Sequence, residues 1–407
     1  MQEFDILTLS NGIRFIHWRN ASKIIHCGIT INTGTRDEFE NEHGLAHFIE
    51  HVIFKGTTHR KAYHVISRLE DVGGDLNAYT AKEETCIYAT VLANDFERSA
   101  ELISDILFNS TFPERELAKE KEVVFDEINS YKDSPAELIF DDFEEQVFAN
   151  APIGRNILGT KKNLKTFTKQ SIQTFMQRTY NTDQMVFSSV GDIPFSKVKK
   201  VAEKYFGGFP ANPRLFTRTP FNGYSPSVIE KHKSTYQAHC IVGNLAYDLK
   251  NEKRIALHLL INILGGPGMN SRLNLSLRER HGLAYNVEAS YTPYSDTGIV
   301  SVYFGTDKEN IDRSMSIVQK ELTKIRTVSI SDLLLFKAKK QLVGQLAIAA
   351  ESNEGQMLSI GKSLLVYNSV DSLEEVAQKL ETVTAMDLIT TANEIFAPTQ
   401  LATLIFR

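Results

Sequence analysis

His47-Phe48-Ile49-Glu50-His51 reads H-x-x-E-H, and its spacing sets the first chemical expectation. Two histidines four residues apart lie on one face of a helix, one turn from each other. Both imidazoles then reach a single ion. Glu50 falls within the same arc, three residues past His47, placed to take a proton from water without being a ligand itself. Neutral imidazole suits zinc, and two histidines with one carboxylate leave a fourth position open. In a chain of 407 residues with 11 His and 50 Asp+Glu, such a match arises by chance only about 0.04 times.

The flanking residues predict a helix. Asn41 and Glu42 stand where an N-cap and a first-turn acid belong. Leu45, Phe48, Ile49 and Val52 supply apolar positions at helical spacing, and Gly56 supplies a stop. The expected helix covers residues 42–54, and a histidine pair buried on it needs hydrogen-bond partners or a metal. A third ligand must come from elsewhere. The best source is the acid-rich helix expected to begin near Pro113. Most of its acids read as a solvated face. Glu120 and Glu127 stand out because they are seven apart and share a face. Glu127 also sits among Val123, Val124, Phe125 and Ile128, where a solvated acid is unexpected.

At this point the chain resembles the pitrilysin/insulinase family of zinc metallopeptidases, the inverzincins, in particular the bacterial branch like mitochondrial processing peptidase. The likeness begins with Gly44-Leu45-Ala46-His47-Phe48-Ile49-Glu50-His51 and Phe54-Lys55-Gly56-Thr57. It continues through Gly73-Gly74, Asn77-Ala78-Tyr79-Thr80, Glu84-Thr85, the 120–127 helix and Asp133-Ser134-Pro135. It returns at Ser271-Arg272-Leu273, Leu277-Arg278-Glu279 and Gly282-Leu283-Ala284-Tyr285. The resemblance implies one Zn2+ per chain on His47, His51 and Glu127, with Glu50 as general base. Glu120 is then a second acid that orients a zinc ligand. Taken alone, 77–80 reads as an ordinary strand. The resemblance makes it a sheet edge to which an extended substrate adds, with Asn77, Ala78 and Tyr79 against its backbone. Phe54 is a candidate wall of the substrate pocket. Arg278 and Tyr285 alone read as a surface arginine and a half-buried tyrosine. The resemblance gives them the scissile carbonyl and its developing oxyanion. His43 and His59 match nothing in the family pattern and read as surface or core histidines.

Composition bounds the alternatives. The net charge is −5 with no dense Lys/Arg cluster, which argues against nucleic-acid binding. No apolar run reaches the length of a membrane span. The opening Met1-Gln2-Glu3-Phe4-Asp5 leads straight into a strand pattern without the layout of a signal peptide. Three scattered cysteines, Cys27, Cys86 and Cys240, read as free thiols of a reducing compartment. The expectation is a cytoplasmic protein.

The proline-rich stretch FGGFPANPRLFTRTPFNGYSPS (206–227) divides the chain. The expected domains are 1–208 with the zinc motif, a linker at 209–227, and 228–407 without the motif but with Arg278 and Tyr285. The halves resemble each other. Strands expected near 77–80 and 85–93, then helices at 95–107 and 114–130, are matched by 284–291, 298–305, 310–325 and 331–350. This is a weak internal repeat. The predicted fold is α+β: two similar duplicated α/β domains, each a mainly antiparallel sheet flanked by helices. The resemblance makes them half of a clamshell chamber. It also points to a homodimer in which Arg278 and Tyr285 act in trans on peptide substrates. The expected activity is zinc-dependent endopeptidase action on unfolded peptides. The alternatives are a non-catalytic structural subunit and a peptide-binding clamp of the same fold.

Overall fold

The computed structural model describes residues 4–407, which form two compact units. The first comprises residues up to Ile128, Arg155–Arg218 and Ile348–Ser372. The second comprises Asn129–Gly154, Thr219–Ala347 and Leu373–Arg407. The chain crosses between them five times, after residues 128, 154, 218, 347 and 372, and the middle crossing lies within residues 210–227, which carry no helix or strand.

The first unit is built on β1 (Asp5–Thr8), β2 (Arg14–Trp18), β3 (Ile24–Ile31), β4 (Asp75–Thr80), β5 (Thr85–Leu92) and β6 (Met185–Val190). Their order in the sheet is β1-β2-β6-β3-β5-β4. The second unit is built on β7 (Val228–Lys231), β8 (Ala238–Ala246), β9 (Ala284–Pro293), β10 (Gly298–Thr306) and β11 (Ala402–Phe406). Their order is β7-β11-β8-β10-β9. The repeat is exact in topology apart from β1. In each sheet one parallel pair, β2 with β6 or β7 with β11, is followed by antiparallel neighbours out to the edge. The edges, β4 and β9, hold corresponding places. The mixed, mainly antiparallel α+β architecture expected from the sequence is therefore present in both units.

Strand alternation gives each sheet two apolar faces. In the first unit Phe15 and Phe187 join the larger core with helix Phe96–Asn109. Their neighbours Ile16 and Val186 pack instead on Met357, Ile360 and Leu364 of helix Asn353–Tyr367. In the second unit Cys240, Val242 and Val302 face helices Arg254–Gly265, Ile311–Thr327 and Ala385–Ile395. Ile241, Tyr303 and Leu404 face helix Pro135–Val147. Each unit thus covers one sheet face with a helix drawn from the opposite half of the sequence. No helix among the described residues is long and apolar enough to cross a membrane.

The motif helix runs from Leu45 to Val52, shorter than the expected 42–54. Gly44 lies at φ +95°, a left-handed conformation that ends any helix entering from the N-terminal side. Glu40–Glu42 forms a separate 3-10 turn, so Asn41 is not the cap. The cap comes from Glu38. Its carboxylate accepts the Gly44 N–H at 2.9 Å and the Ala46 N–H at 2.8 Å. A carboxylate also suits the positive end of the helix dipole. Burial pushes the Glu38 carboxyl up to about 8, against the pull of those two amides. Three arginines anchor the loop before the helix. Arg218 grips Asp37 with Nε and Nη2 at 2.9 and 2.7 Å. Arg178 donates to the Asp37 carbonyl at 3.0 Å and to Glu42 Oε2. Arg155 donates to the Glu38 carbonyl at 3.0 Å.

Two stability predictions follow from this packing. Glu38→Ala leaves two buried amides without acceptors and should cost about 1–3 kcal/mol in denaturant unfolding. A Cβ at Gly361 would lie 2.8 Å from Ser188 Oγ where helix 353–367 meets the sheet. Gly361→Val should lose about 1–3 kcal/mol by overpacking, seen as a lower Tm.

Candidate metal centre

Helix 45–52 buries Leu45, Ala46, Phe48, Ile49 and Val52 and packs against β4. That burial orients the opposite side, carrying His47, Glu50 and His51, toward helix Glu114–Lys132. The latter buries Leu117, Glu120, Val124 and Ile128, a stripe at spacings of three and four. Glu127 flanks this stripe. Its setting is less apolar than the sequence suggests, because Val123 is 49% exposed and faces away.

Ligand atoms of His47, His51 and Glu127 lie within 4.8 Å of one another. Glu127 Oε2 is 3.7 Å from His47 Nε2 and 3.4 Å from His51 Nε2. The two imidazoles meet edge to face with centroids 4.7 Å apart. Tetrahedral zinc with bonds of about 2.0–2.2 Å needs ligands roughly 3.3–3.6 Å apart, close to these separations. The donor chemistry also fits. Glu127 Oε2 and His47 Nδ1 are buried with no hydrogen-bond partner. Burial, then the neighbouring His51, pushes the His47 imidazole down to about 3, so it is neutral, with one ring nitrogen offering a lone pair. Two imidazoles and a carboxylate converge within reach of a single ion, and the Glu127 oxygen that faces both rings is buried without a hydrogen-bond partner, an arrangement that a cation satisfies.

Glu50 is half-buried beside this cluster. Burial raises its pKa, with Thr80 and His51 pulling the other way and Glu127 adding to the rise. A raised carboxyl is a better proton acceptor when ionised than a solvated one. Glu120 is buried, with Oε2 3.5 Å from His51 Nδ1 and Oε1 2.7 Å from Lys55 Nζ. It stands behind His51 and outside the three-residue ligand set.

β4 is the outer strand of its sheet, so one side of its backbone has no neighbouring strand. Asn77 pairs with Tyr88, Ala78 with Ile87 and Tyr79 with Cys86 on the inner side. Asn77 is exposed, Ala78 and Tyr79 are half-buried, and the Tyr79 hydroxyl donates to Glu84 at 3.2 Å. Phe54 packs partly buried against the core of the first unit.

Arg278 and Tyr285 belong to the second unit. Arg278 lies on a π-helical turn, Asn274–Glu279, with its side chain 49% exposed. Such turns recur at functional positions. Tyr285 stands near the start of β9, 80% exposed. The sequence reading did not anticipate Glu38, the three arginines or the Lys55–Glu120 pair. All act across the fold, side chain to distant backbone or helix to helix, and leave no local spacing to read. His43 hydrogen-bonds the Asn156 carbonyl at 2.8 Å, and exposed His59 pairs with Asp105 at 2.6 Å. Both are structural, as expected.

The chain is similar over nearly its whole length to known proteins of one family. Residues 15–161 match the family described as Insulinase (Peptidase family M16), and residues 166–342 match the one described as Peptidase M16 inactive domain. A Bacillus subtilis chain described as the uncharacterized zinc protease YmxG is 33% identical, the alignment covering 96% of this chain and 95% of the relative. A Rickettsia felis uncharacterized zinc protease is 32% identical over 97% and 96% of the two chains. A protease from Helicobacter pylori superposes with TM-score 0.90 at 22% identity over the whole of both chains. A Pseudomonas fluorescens structure titled peptidase M16 inactive domain superposes with TM-score 0.92 at 18% identity, covering 99% of this chain and 97% of that one. Matched by the family models over residues 15–161 and 166–342 and more than 30% identical to relatives along nearly its whole length, this chain belongs to the pitrilysin/insulinase family, peptidase family M16.

Proposed function

We propose that this protein is a zinc-dependent endopeptidase that hydrolyses unfolded peptides. The convergence of His47, His51 and Glu127 on one point, beside a half-buried Glu50, carries the proposal. The names of the relatives support zinc and proteolysis in general terms. One Zn2+ per chain held by these three residues would supply Lewis acidity toward a peptide carbonyl and lower the pKa of water at the site.

The chain's own residues do the rest. Glu50 takes a proton from the attacking water and returns it to the leaving amine. Its burial raises its basicity for the first transfer. Glu120 orients His51 through Nδ1. The open edge of β4 receives the substrate as an added strand, with Asn77, Ala78 and Tyr79 along its backbone and Phe54 as a pocket wall. This mode reads main chain more than side chain, which suits varied unfolded peptides. Arg278 and Tyr285 stabilise the oxyanion in a homodimeric chamber, supplied by one subunit to the zinc site of the other. A cytoplasmic location is part of the same reading, supported by three free, buried cysteines.

The matched description of the second part as an inactive domain fits a second copy without its own H-x-x-E-H. It equally fits a whole protein that binds peptides without cutting them, so the test must separate binding from turnover. Wild type and Glu50→Gln should both hold about one zinc per chain, with cleavage of a quenched fluorescent peptide library in wild type alone. Zinc in both with cleavage in neither would favour the binding clamp. Mixing Arg278→Ala with Glu50→Gln should restore up to about a quarter of wild-type activity, because half the exchanged dimers carry one intact site of two. No recovery after confirmed subunit exchange would remove the shared-site arrangement.

A further inference from the structure

We infer that Lys55 is a positioning residue for the metal centre, acting on His51 through Glu120. The inference rests on the zinc reading above. Lys55 lies four residues past His51, just beyond the motif helix, with its backbone N–H bonded to the Val52 carbonyl at 3.1 Å. Its ammonium is 2.7 Å from Glu120 Oε1, and both side chains are largely buried, 24% and 12% exposed. The other Glu120 oxygen faces His51 Nδ1 at 3.5 Å. His51 Nε2 in turn faces Glu127 Oε2 at 3.4 Å. The four groups form one line: ammonium, carboxylate, imidazole, ligand cluster.

Each link has a physical role. A carboxylate this buried needs a countercharge, and Lys55 supplies it. The ion pair fixes one Glu120 oxygen, so the carboxyl plane cannot turn freely and the second oxygen stays opposite Nδ1. A carboxylate oxygen facing Nδ1 at this distance favours the tautomer with its proton on that nitrogen, which leaves the Nε2 lone pair for the ion. Lys55 also restrains Glu120 from swinging into the centre as a fourth protein ligand. That swing would close the position a hydrolytic site keeps open. Without Lys55 the carboxylate loses its tether, and His51 loses the group that sets its tautomer.

Zinc affinity measured by chelator competition on metal-free protein tests this without relying on activity. Lys55→Met should weaken zinc binding about tenfold, as loss of an outer-shell partner does. Glu120→Gln should weaken it comparably, and the double variant should lose no more than the weaker-binding single, because both act through one carboxylate. Lys55→Arg, which keeps the charge, should stay near wild type. Lys119→Met removes a charge one residue from Glu120 but on an exposed side chain bound to Glu116, and should change nothing. Unchanged affinity in Lys55→Met, fully additive losses in the double variant, or an equal loss in Lys119→Met would each overturn the inference. A wild-type protein that takes up no zinc would instead overturn the zinc reading beneath it.

Discussion

Everything at the metal centre depends on holding an eight-residue helix still. A helix this short does not persist in water by itself, since nucleation is unfavourable and few hydrogen bonds repay it. Two of its turns nonetheless carry both histidines and the acid between them. The protein supplies the missing rigidity from three sides. Glu38 satisfies the amides at the start. Phe48, Ile49 and Val52 fix one face in the core. The helix 114–132 closes the other with Glu120 and Glu127. The approach loop is tied down by arginines that bond its main-chain carbonyls as well as its acids. Guanidinium groups suit this task because their several planar donors reach carboxylate and carbonyl together.

The site shows how neutral and charged groups are sorted by burial. His47 is kept neutral by desolvation. Glu50 is only half-buried, and its carboxyl is raised without the near-complete enclosure of Glu38. Glu120 is deep but paired to an ammonium. Acids and imidazoles held by one short helix and its neighbours thus sit in different surroundings. This differentiation separates a reactive cluster from a surface patch of the same composition.

Much of this was legible in the sequence. Periodicity located the strands and helices of the repeated 75–132 and 284–349 segments to within a few residues, because their apolar stripes are regular. The spacing of His47, Glu50 and His51 announced the chemistry, since helical geometry is local. Boundaries were less legible where one glycine decides them. Gly44 halts a pattern that Asn41 and Glu42 seem to begin, and only its positive φ reveals this. Spacing singles out Glu120 and Glu127 together, and the family resemblance alone makes Glu127 the ligand; Val123, one turn before it, faces solvent. The Glu38 cap, the arginine anchors and the Lys55 pair were not legible. Each joins residues whose separation in sequence carries no period.

The exchange of covering helices between the halves of the chain has a consequence for how the protein is made. Ile16, Val186 and Val190 pack in one cluster with Met357, Ile360, Leu364 and Leu365, which supply most of its buried far side. A nascent chain that has passed the zinc motif, the linker and most of the second sheet still presents a bare apolar sheet face. The first unit therefore matures only near the end of translation, and not as an early, self-sufficient foldon. The interval between is the time at which this face is open to chaperones or to misassociation with another copy.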